Sequence, residues 1–151
     1  MAKSTFVYVI YIAAKQQQVW EALIQPEFTR SYWGHENVSD WKPGSTWEHR
    51  QADASRELKL VGKVVEFTPP TRLVLTWGDP KDAAKPSAQS RVALDLEQIG
   101  DMVRLTVTHD ELEAGSDMLR GISSGWPRVL SSLKSQLETG KPLPTWATAA
   151  R

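Results

Sequence analysis

The amino-acid sequence predicts an α+β domain in which an antiparallel β-sheet is covered by one long C-terminal helix. Three observations carry this prediction: an apolar strand-like run opens the chain, five further strand-like segments follow between turn residues, and a long amphipathic pattern comes last. A chain of 151 residues has the usual size of a single domain with its own core. We therefore expect one domain over residues 1–140 and a C-terminal tail over residues 141–151.

The N-terminal part of the chain predicts one strand followed by two short helices. Residues 5–12 are rich in β-branched and aromatic side chains, which favours a buried strand. A signal peptide is disfavoured, because one basic residue precedes the run and no convincing small-residue cleavage site follows it. Apolar residues then recur at helical spacing over residues 19–24, and Pro26 ends this helix and can open a second one that stops at Gly34.

The middle of the chain predicts an antiparallel meander. Val92, Leu94 and Leu96 alternate with polar residues, which indicates a sheet with one covered and one wet face. Short breaks at TPPT and IGDM predict hairpins. The five strand-like segments are GSTWEHRQ, LKLVGKVVEFT, RLVLTW, RVALDLEQI and MVRLTVTH.

The covering element is a C-terminal helix with apolar residues at steps of three and four over residues 119–137. Pro127 stands inside this pattern, where it removes a backbone N–H and crowds the preceding turn. Either the helix begins near Asp117 and bends, or it breaks before Gly125 and Pro127 occupies the first turn of a new helix. The unbroken apolar stripe favours the bend.

Composition disfavours several classes of function. The 18 basic and 18 acidic side chains cancel, so no net field draws the chain to nucleic acid or to an anionic membrane. The absence of cysteine excludes disulfides, thiolate metal sites and cysteine nucleophiles, and it fits a cytoplasmic location. No phosphate loop, dinucleotide fingerprint or nucleophile elbow occurs, and no apolar run approaches the ~20 residues of a membrane span. We expect no cofactor.

Two clusters of histidine and carboxylate residues could suggest a metal site. His109 is followed by Asp110 and Glu111, and His35 is followed by Glu36. Their spacing lacks a dedicated ligand pattern, and neighbouring residues on a strand point to opposite faces. We therefore expect no metal, and we interpret the residues around His109 as a solvated strand end.

Five segments spread from Phe6 to about Glu138 carry a resemblance to a known superfamily. They are VWEALIQPEFTRSYWG, VSDWKPGSTWEH, GKVVEFTPPTRLVLTW, VRLTVTHDEL and GWPRVLSSLKSQLE. Together they resemble the START-like, or Bet v 1-like, superfamily and, within it, the branch named after the activator of Hsp90 ATPase. The resemblance implies a helix-grip fold: a curved antiparallel β-sheet wrapped around a long C-terminal α-helix, with two short helices after strand one and a cavity between sheet and helix.

The resemblance implies three functions. The first is binding of a hydrophobic or amphipathic small molecule, such as a lipid, in the cavity. The second is a cyclase or dehydratase-like activity in the same cavity, with His49 and Glu66 as candidate acid and base. The third is an interaction with a chaperone, which is the weakest because the chain has one domain. The oligomeric state is expected to be a monomer or a homodimer.

Eight residues are candidates for ligand binding. Tryptophans at motif positions would line the cavity or belong to its core, and the sequence does not separate these alternatives. His49 shares a strand face with Trp47 and is either a cavity residue or bonded to a neighbouring element, while Glu66 is either an interior carboxylate or a residue of the rim. Gly62 indicates a bend or a close approach. The candidates are Trp33, Trp47, His49, Val64, Glu66, Trp77, Trp126 and Leu130.

Overall fold

The computed structural model describes residues 2–143 as a single antiparallel sheet with one long and two short helices. The seven strands lie in the order β1-β7-β6-β5-β4-β3-β2, which confirms the predicted α+β helix-grip class. Two 3-10 turns, Pro80–Asp82 and Pro86–Ala88, occupy the loop before β6. The elements are β1 (Lys3–Ile12), α1 (Gln16–Ile24), α2 (Pro26–Trp33), β2 (His35–Ser39), β3 (Thr46–Gln51), β4 (Leu58–Thr68), β5 (Arg72–Trp77), β6 (Ser90–Ile99), β7 (Met102–Glu113) and α3 (Asp117–Thr139).

The two short helices are confirmed at their predicted boundaries. Pro26 occupies the first position of α2, where its missing N–H would have no helical partner in any case. Gly34 ends α2 with a φ of 78°, the left-handed conformation that glycine adopts without a side-chain penalty. The next residue, His35, begins β2.

The strand β2 was not predicted. Its sequence HENVS is short and mostly polar, so the apolar alternation that identifies a strand is missing. The segment forms a strand because it pairs with β3, with Asn37 opposite His49 and His35 opposite Gln51. Residues 2–143 therefore form seven strands where the sequence predicted six, and the additional strand brings His35 and Asn37 next to β3.

The remaining strands form the predicted meander, and β1 adds to its edge beside β7. The β6–β7 hairpin turns between Ile99 and Met102, and the β4–β5 hairpin between Thr68 and Arg72. The strand β1 pairs antiparallel with β7, the last strand of the chain, with Lys3 opposite Glu113. One face of this sheet packs against α3, and the core lies between them.

Gly62 lies where a close approach was expected. The indole of Trp47 reaches across β4 and donates from Nε1 to the backbone oxygen of Thr76, at 2.7 Å. A Cβ atom on Gly62 would lie 1.9 Å from that oxygen and 2.6 Å from the indole nitrogen. Glycine is therefore required here, first by the Thr76 carbonyl group and then by the Trp47 indole.

The helix α3 is continuous through Pro127, so a break before Gly125 does not occur. The Ser116 side chain caps its first turn by accepting from the N–H of Leu119, and Gly140 ends it with a φ of 83°. Near the C-terminal end, Glu138 accepts the N–H of Ala13 at 2.7 Å. This contact fixes the end of α3 to the residues that follow β1.

The predicted tail begins with residues that return to α3. The Leu143 N–H donates to the Ser132 hydroxyl at 3.0 Å, and this hydroxyl lies 3.1 Å from the Leu143 oxygen. The domain boundary at residue 140 stays a prediction, and Trp146, for which no role was assigned, lies outside the described residues. Within residues 2–143, no helix is both long enough and apolar enough to cross a bilayer.

Candidate functional site

A cavity of about 390 Å³ lies between the N-terminal half of α3 and the strands β2 to β5. This volume falls within the range that small-molecule sites occupy. Its walls combine indole and imidazole rings, aliphatic side chains, two glycines of α3 and three charged residues. The lining residues are Trp33, His35, His49, Lys59, Leu60, Trp77, Asp79, Asp117, Met118, Gly121, Ile122, Gly125, Trp126 and Val129.

Four of the eight candidate residues meet in this cavity: Trp33, His49, Trp77 and Trp126. The indole of Trp126 lies 5.6 Å from that of Trp33 and 5.3 Å from that of Trp77, measured between ring centroids. Tilted rings at these distances are a favourable aromatic arrangement. They form a rigid apolar wall contributed by α2, β5 and α3.

The other four candidates lie elsewhere. Trp47, Val64 and Leu130 are at most 1% exposed and belong to the core rather than to the cavity lining. Glu66 is half-buried, does not line the cavity, and contacts Arg72 at 3.2 Å.

A β-bulge explains why Glu66 does not lie on the same face of β4 as Val64. Val64 pairs with Leu75 on β5, but Glu66 pairs with Val74, so the register shifts between these positions. A bulge adds a residue to one strand and changes the face that later side chains occupy. The expected pairing of His49 with Glu66 in one cavity is therefore not observed.

The His49 ring is held by Asn37 on the neighbouring strand. The Asn37 amide nitrogen donates to the Leu23 oxygen at 3.4 Å, which orients the amide oxygen towards His49. That oxygen lies 2.7 Å from Nδ1, so Nδ1 carries the proton and donates. Burial, and then the nearby charge of His35, hold the pKa of His49 well below 6.5. The ring is neutral and Nε2 is an acceptor.

His35 stacks on His49 and was not among the predicted site residues. The ring centroids are 4.6 Å apart and the planes differ by 15°. The Nδ1 atom lies 3.2 Å from the backbone oxygen of Trp33, to which it donates. Burial lowers the pKa of His35 more than this hydrogen bond raises it. The signal that could have identified it is the two-residue spacing of His35 and Asn37, which places both on one strand face.

The interpretation of His109 as part of a solvated strand end is wrong. The strand β7 continues to Glu113, so His109 lies within it, and the side chain is fully buried. The Trp126 indole N–H donates to Nδ1 at 3.1 Å, and Nε2 lies 2.8 Å from the Ser90 hydroxyl.

These contacts define the protonation of His109. Because an indole only donates, Nδ1 must accept, and the proton is on Nε2, which donates to Ser90. The Ser90 hydroxyl in turn donates to the Trp77 oxygen at 2.8 Å. Burial lowers the pKa of His109 to about 4, so the ring is neutral at neutral pH. The chain of hydrogen bonds fixes Trp126 in the cavity wall.

One indole in the wall has an unsatisfied donor. The Trp77 Nε1 atom is buried and has no hydrogen-bond partner among residues 2–143. A buried N–H without an acceptor costs about 1–3 kcal/mol. In the same part of the chain, no group of three or more histidine, aspartate or glutamate side chains is arranged to hold a metal ion.

Comparison with known proteins supports the fold. The sequence model of the family described as "Activator of Hsp90 ATPase homolog 1-like protein" matches residues 13–138. A search of curated proteins found no significant match.

Several solved structures share the fold. The solution structure of the Aha1 dimer from Colwellia psychrerythraea is 19% identical with a TM-score of 0.75, and the match covers 91% of this chain and 98% of that one. A protein from Bordetella parapertussis is 25% identical, with a TM-score of 0.72 and coverages of 97% and 81%. CalU16 from Micromonospora echinospora is 21% identical, with a TM-score of 0.72 and coverages of 95% and 70%. With the family match over residues 13–138, the chain belongs to the activator of Hsp90 ATPase homolog 1-like family.

Proposed function

We propose that this domain binds a hydrophobic or amphipathic small molecule in the cavity between the sheet and α3. The observation that carries the proposal is the wall itself: three indoles and two neutral imidazoles surround a space of about 390 Å³. Large flat rings bury much apolar ligand surface and lose little conformational entropy, and a few polar atoms then orient the ligand.

The composition of α3 also supports a space kept open for a ligand. A Cβ atom added to Gly121 would have no other atom within 4 Å, and Gly125 lines the same cavity one turn later. Glycine inside a helix lowers its stability by about 0.5–1 kcal/mol relative to alanine. Two glycines facing a cavity therefore retain volume at the expense of helix stability.

A titration of tryptophan fluorescence with lipids and aromatic compounds tests the proposal. We expect saturable quenching in the unmodified protein and its loss in Gly121→Leu, which adds a large side chain to a residue of the cavity lining. Ser124→Leu is the matched control, because it adds the same side chain to an exposed position of the same helix. Equal quenching in both variants would place the bound molecule elsewhere.

Native mass spectrometry of protein purified from its own source is the second test. We expect a mass increment that is absent from Gly121→Leu produced in the same cells. Unmodified protein that carries no increment and quenches with no compound of either class would contradict the proposal.

The alternative of a cyclase or dehydratase-like enzyme has weaker support. His49 lines the cavity, but its expected partner Glu66 is bonded to Arg72 outside the lining. The cavity has an aromatic wall without the acid–base pair on which the enzyme hypothesis depended. Binding without chemistry is therefore the function that the geometry supports better.

The family match makes a chaperone the second candidate partner. Family membership identifies the fold more firmly than the activity, because function depends on individual sites. Addition of this protein to an Hsp90 ATPase assay tests the partner directly, and an unchanged rate would count against it. We also propose a cytoplasmic location, supported by the cysteine-free composition and measurable by cell fractionation.

A further inference from the structure

We infer that the cavity selects ligands that carry a neutral hydroxyl donor, a phenol or an alcohol, on a flat apolar body, and that His35 and His49 recognise this hydroxyl. The inference rests on the proposed ligand-binding function and adds the chemical class of the ligand. It follows from the protonation of the two rings, from the charges near them and from the shape of the wall.

The first step is the orientation of the His49 proton. Nδ1–H is used by the Asn37 oxygen at 2.7 Å, so Nε2 is the remaining polar atom of a ring that lines the cavity. Among residues 2–143, no group forms a hydrogen bond with this nitrogen. An acceptor of this kind in a mostly apolar cavity gains most from a molecule that donates to it.

His35 repeats the same arrangement. Its Nδ1–H donates to the Trp33 oxygen at 3.2 Å, which again leaves Nε2 as an acceptor, and the ring is stacked on His49 at 4.6 Å. Two parallel imidazoles in the wall thus offer lone pairs rather than protons. A ligand meets them best with an O–H group.

The charges around the cavity disfavour a carboxylate in that position. Lys59 is the cation of the lining, and it lies 3.3 Å from Glu57 on the exposed side. Asp79 and Asp117 are the anions of the same lining. Lys59 and Asp117 are each paired with an exposed residue, Glu57 and Arg120, which leaves Asp79 as a further anion of the lining. A carboxylate needs donors, and it would meet two imidazole acceptors and this anion.

The indoles beside the imidazoles determine the rest of the ligand. Trp33, Trp77 and Trp126 present flat apolar surfaces with centroids 5.3 to 6.4 Å apart. A hydroxyl group can donate to an imidazole acceptor, which neither an ether nor a carboxylate can do.

Calorimetric titration with three naphthalene probes of similar size tests this inference. 2-Naphthol carries a donor, 2-methoxynaphthalene carries only an acceptor, and 2-naphthoate carries a charge. We expect 2-naphthol to bind about five- to tenfold more tightly than 2-methoxynaphthalene, the contribution of one neutral hydrogen bond. In His49→Phe, which keeps a ring but removes the nitrogen acceptor, we expect this ratio to fall towards one.

A second variant keeps the test valid if His49→Phe does not fold. His35→Phe changes a half-buried residue and preserves a stacking ring, and thermal unfolding reports whether each variant is folded. Equal affinities for naphthol and methoxynaphthalene, a ratio unchanged in the folded variants, or tightest binding of naphthoate would overturn the inference and leave the proposed function standing. Binding of none of the three probes would also overturn the inference, and the titration with lipids and aromatic compounds would then decide the proposed function separately.

Discussion

The two halves of α3 face the same sheet in different ways. The N-terminal half, residues 117–126, borders the cavity and presents Gly121 and Gly125 to it, and we call it the open half. The C-terminal half, residues 128–139, contributes Val129 to the edge of the cavity but buries Leu130 and Leu133 in the core, and we call it the solid half. Pro127 lies at the junction, and the helix passes through it unbroken. Residue size on one face of one helix therefore decides where the domain is filled and where a space is left.

This contrast separates stability from binding along a single element. Leucines fill the space against the sheet and contribute transfer and packing free energy, while glycines leave a space that another molecule can fill. Substitutions in the two halves should accordingly affect different measurements. We expect the changes in the free energy of unfolding to decrease from the solid half to the glycines of the open half.

The largest effect is expected in the solid half. Leu133 is fully buried, so Leu133→Ala should lower the free energy of unfolding by about 2–5 kcal/mol through lost transfer energy and a new void. Urea denaturation measures this change. Ser124→Ala, on the exposed face of the open half, is the control, with an expected change within about 0.5 kcal/mol. An equally small loss at Leu133 would contradict the contrast.

The second expected effect is a loss of stability at acid pH, caused by His109, which contacts Trp126 of the open half. His109 has a folded-state pKa of about 4 and an unfolded value of 6.5, so the unfolded chain binds the additional proton between these values. The free energy of unfolding should therefore fall by about 3 kcal/mol as the pH decreases from 6.5 to 4. The lowered pKa of His49 adds a loss of the same sign.

Urea denaturation between about pH 7 and pH 4 measures the acid effect. In His109→Gln, which removes the titrating group, we expect a shallower dependence on pH than in the unmodified protein. Identical slopes for the two proteins would show that His109 is not the source.

The third effect concerns the sheet beneath the open half. Gly62→Ala would place a Cβ atom 1.9 Å from the backbone oxygen of Thr76 on β5, so β4 or β5 must shift. Overpacking of this kind costs about 1–3 kcal/mol. Thermal unfolding measures the loss. Gly100→Ala is unsuitable as a control because of its positive φ, whereas Gly121→Ala has open space and no such strain.

The smallest effect has the opposite sign. Gly121→Ala should raise the free energy of unfolding by about 0.5–1 kcal/mol, because alanine favours the helix and its Cβ meets no atom within 4 Å. The same variant should weaken binding of probes that fill the cavity. A variant that is less stable than the unmodified protein would show that the space beside Gly121 is not open.

Much of the fold could be predicted because periodicity reports directly on it. Helical spacing located α1 and α3, and Pro26 with Gly34 bounded α2. The strand β2 could not be found this way, since its polar residues become a strand only by pairing with β3. Long-range pairing is a tertiary property that a five-residue segment does not encode alone.

The site was only half predictable, for identifiable reasons. The bulge between Val64 and Glu66 moved the carboxyl group out of register, and a bulge leaves no pattern in LKLVGKVVEFT. Trp47 is buried as its strand face required, but the distance between helix and sheet decides whether a buried residue borders a cavity.

His109, in contrast, could have been predicted from the sequence. Val103, Leu105 and Val107 are fully buried at every second position of β7, and His109 is the next position in the same phase. The mistaken interpretation arose because the strand was expected to end at His109, whereas β7 continues for four more residues to Glu113. The alternation of side chains was therefore a better guide to burial than the expected strand end.

The pairing of β1 with β7 has a consequence for synthesis. Lys3 and Glu113 are 110 residues apart in the chain, yet they lie side by side at the end of one ladder. Every other neighbouring pair of strands is contiguous in the chain, so the rest of the sheet can assemble as it is made. The strand β1, KSTFVYVIYI, can pair only after β7 has been synthesised.

During translation, this apolar segment leaves the ribosome long before its partner exists. Contacts between distant parts of a chain form slowly, and strands without a partner are exposed to aggregation. We therefore expect the addition of β1 to the sheet to be a late step of folding, because its ladder joins residues that are 110 positions apart.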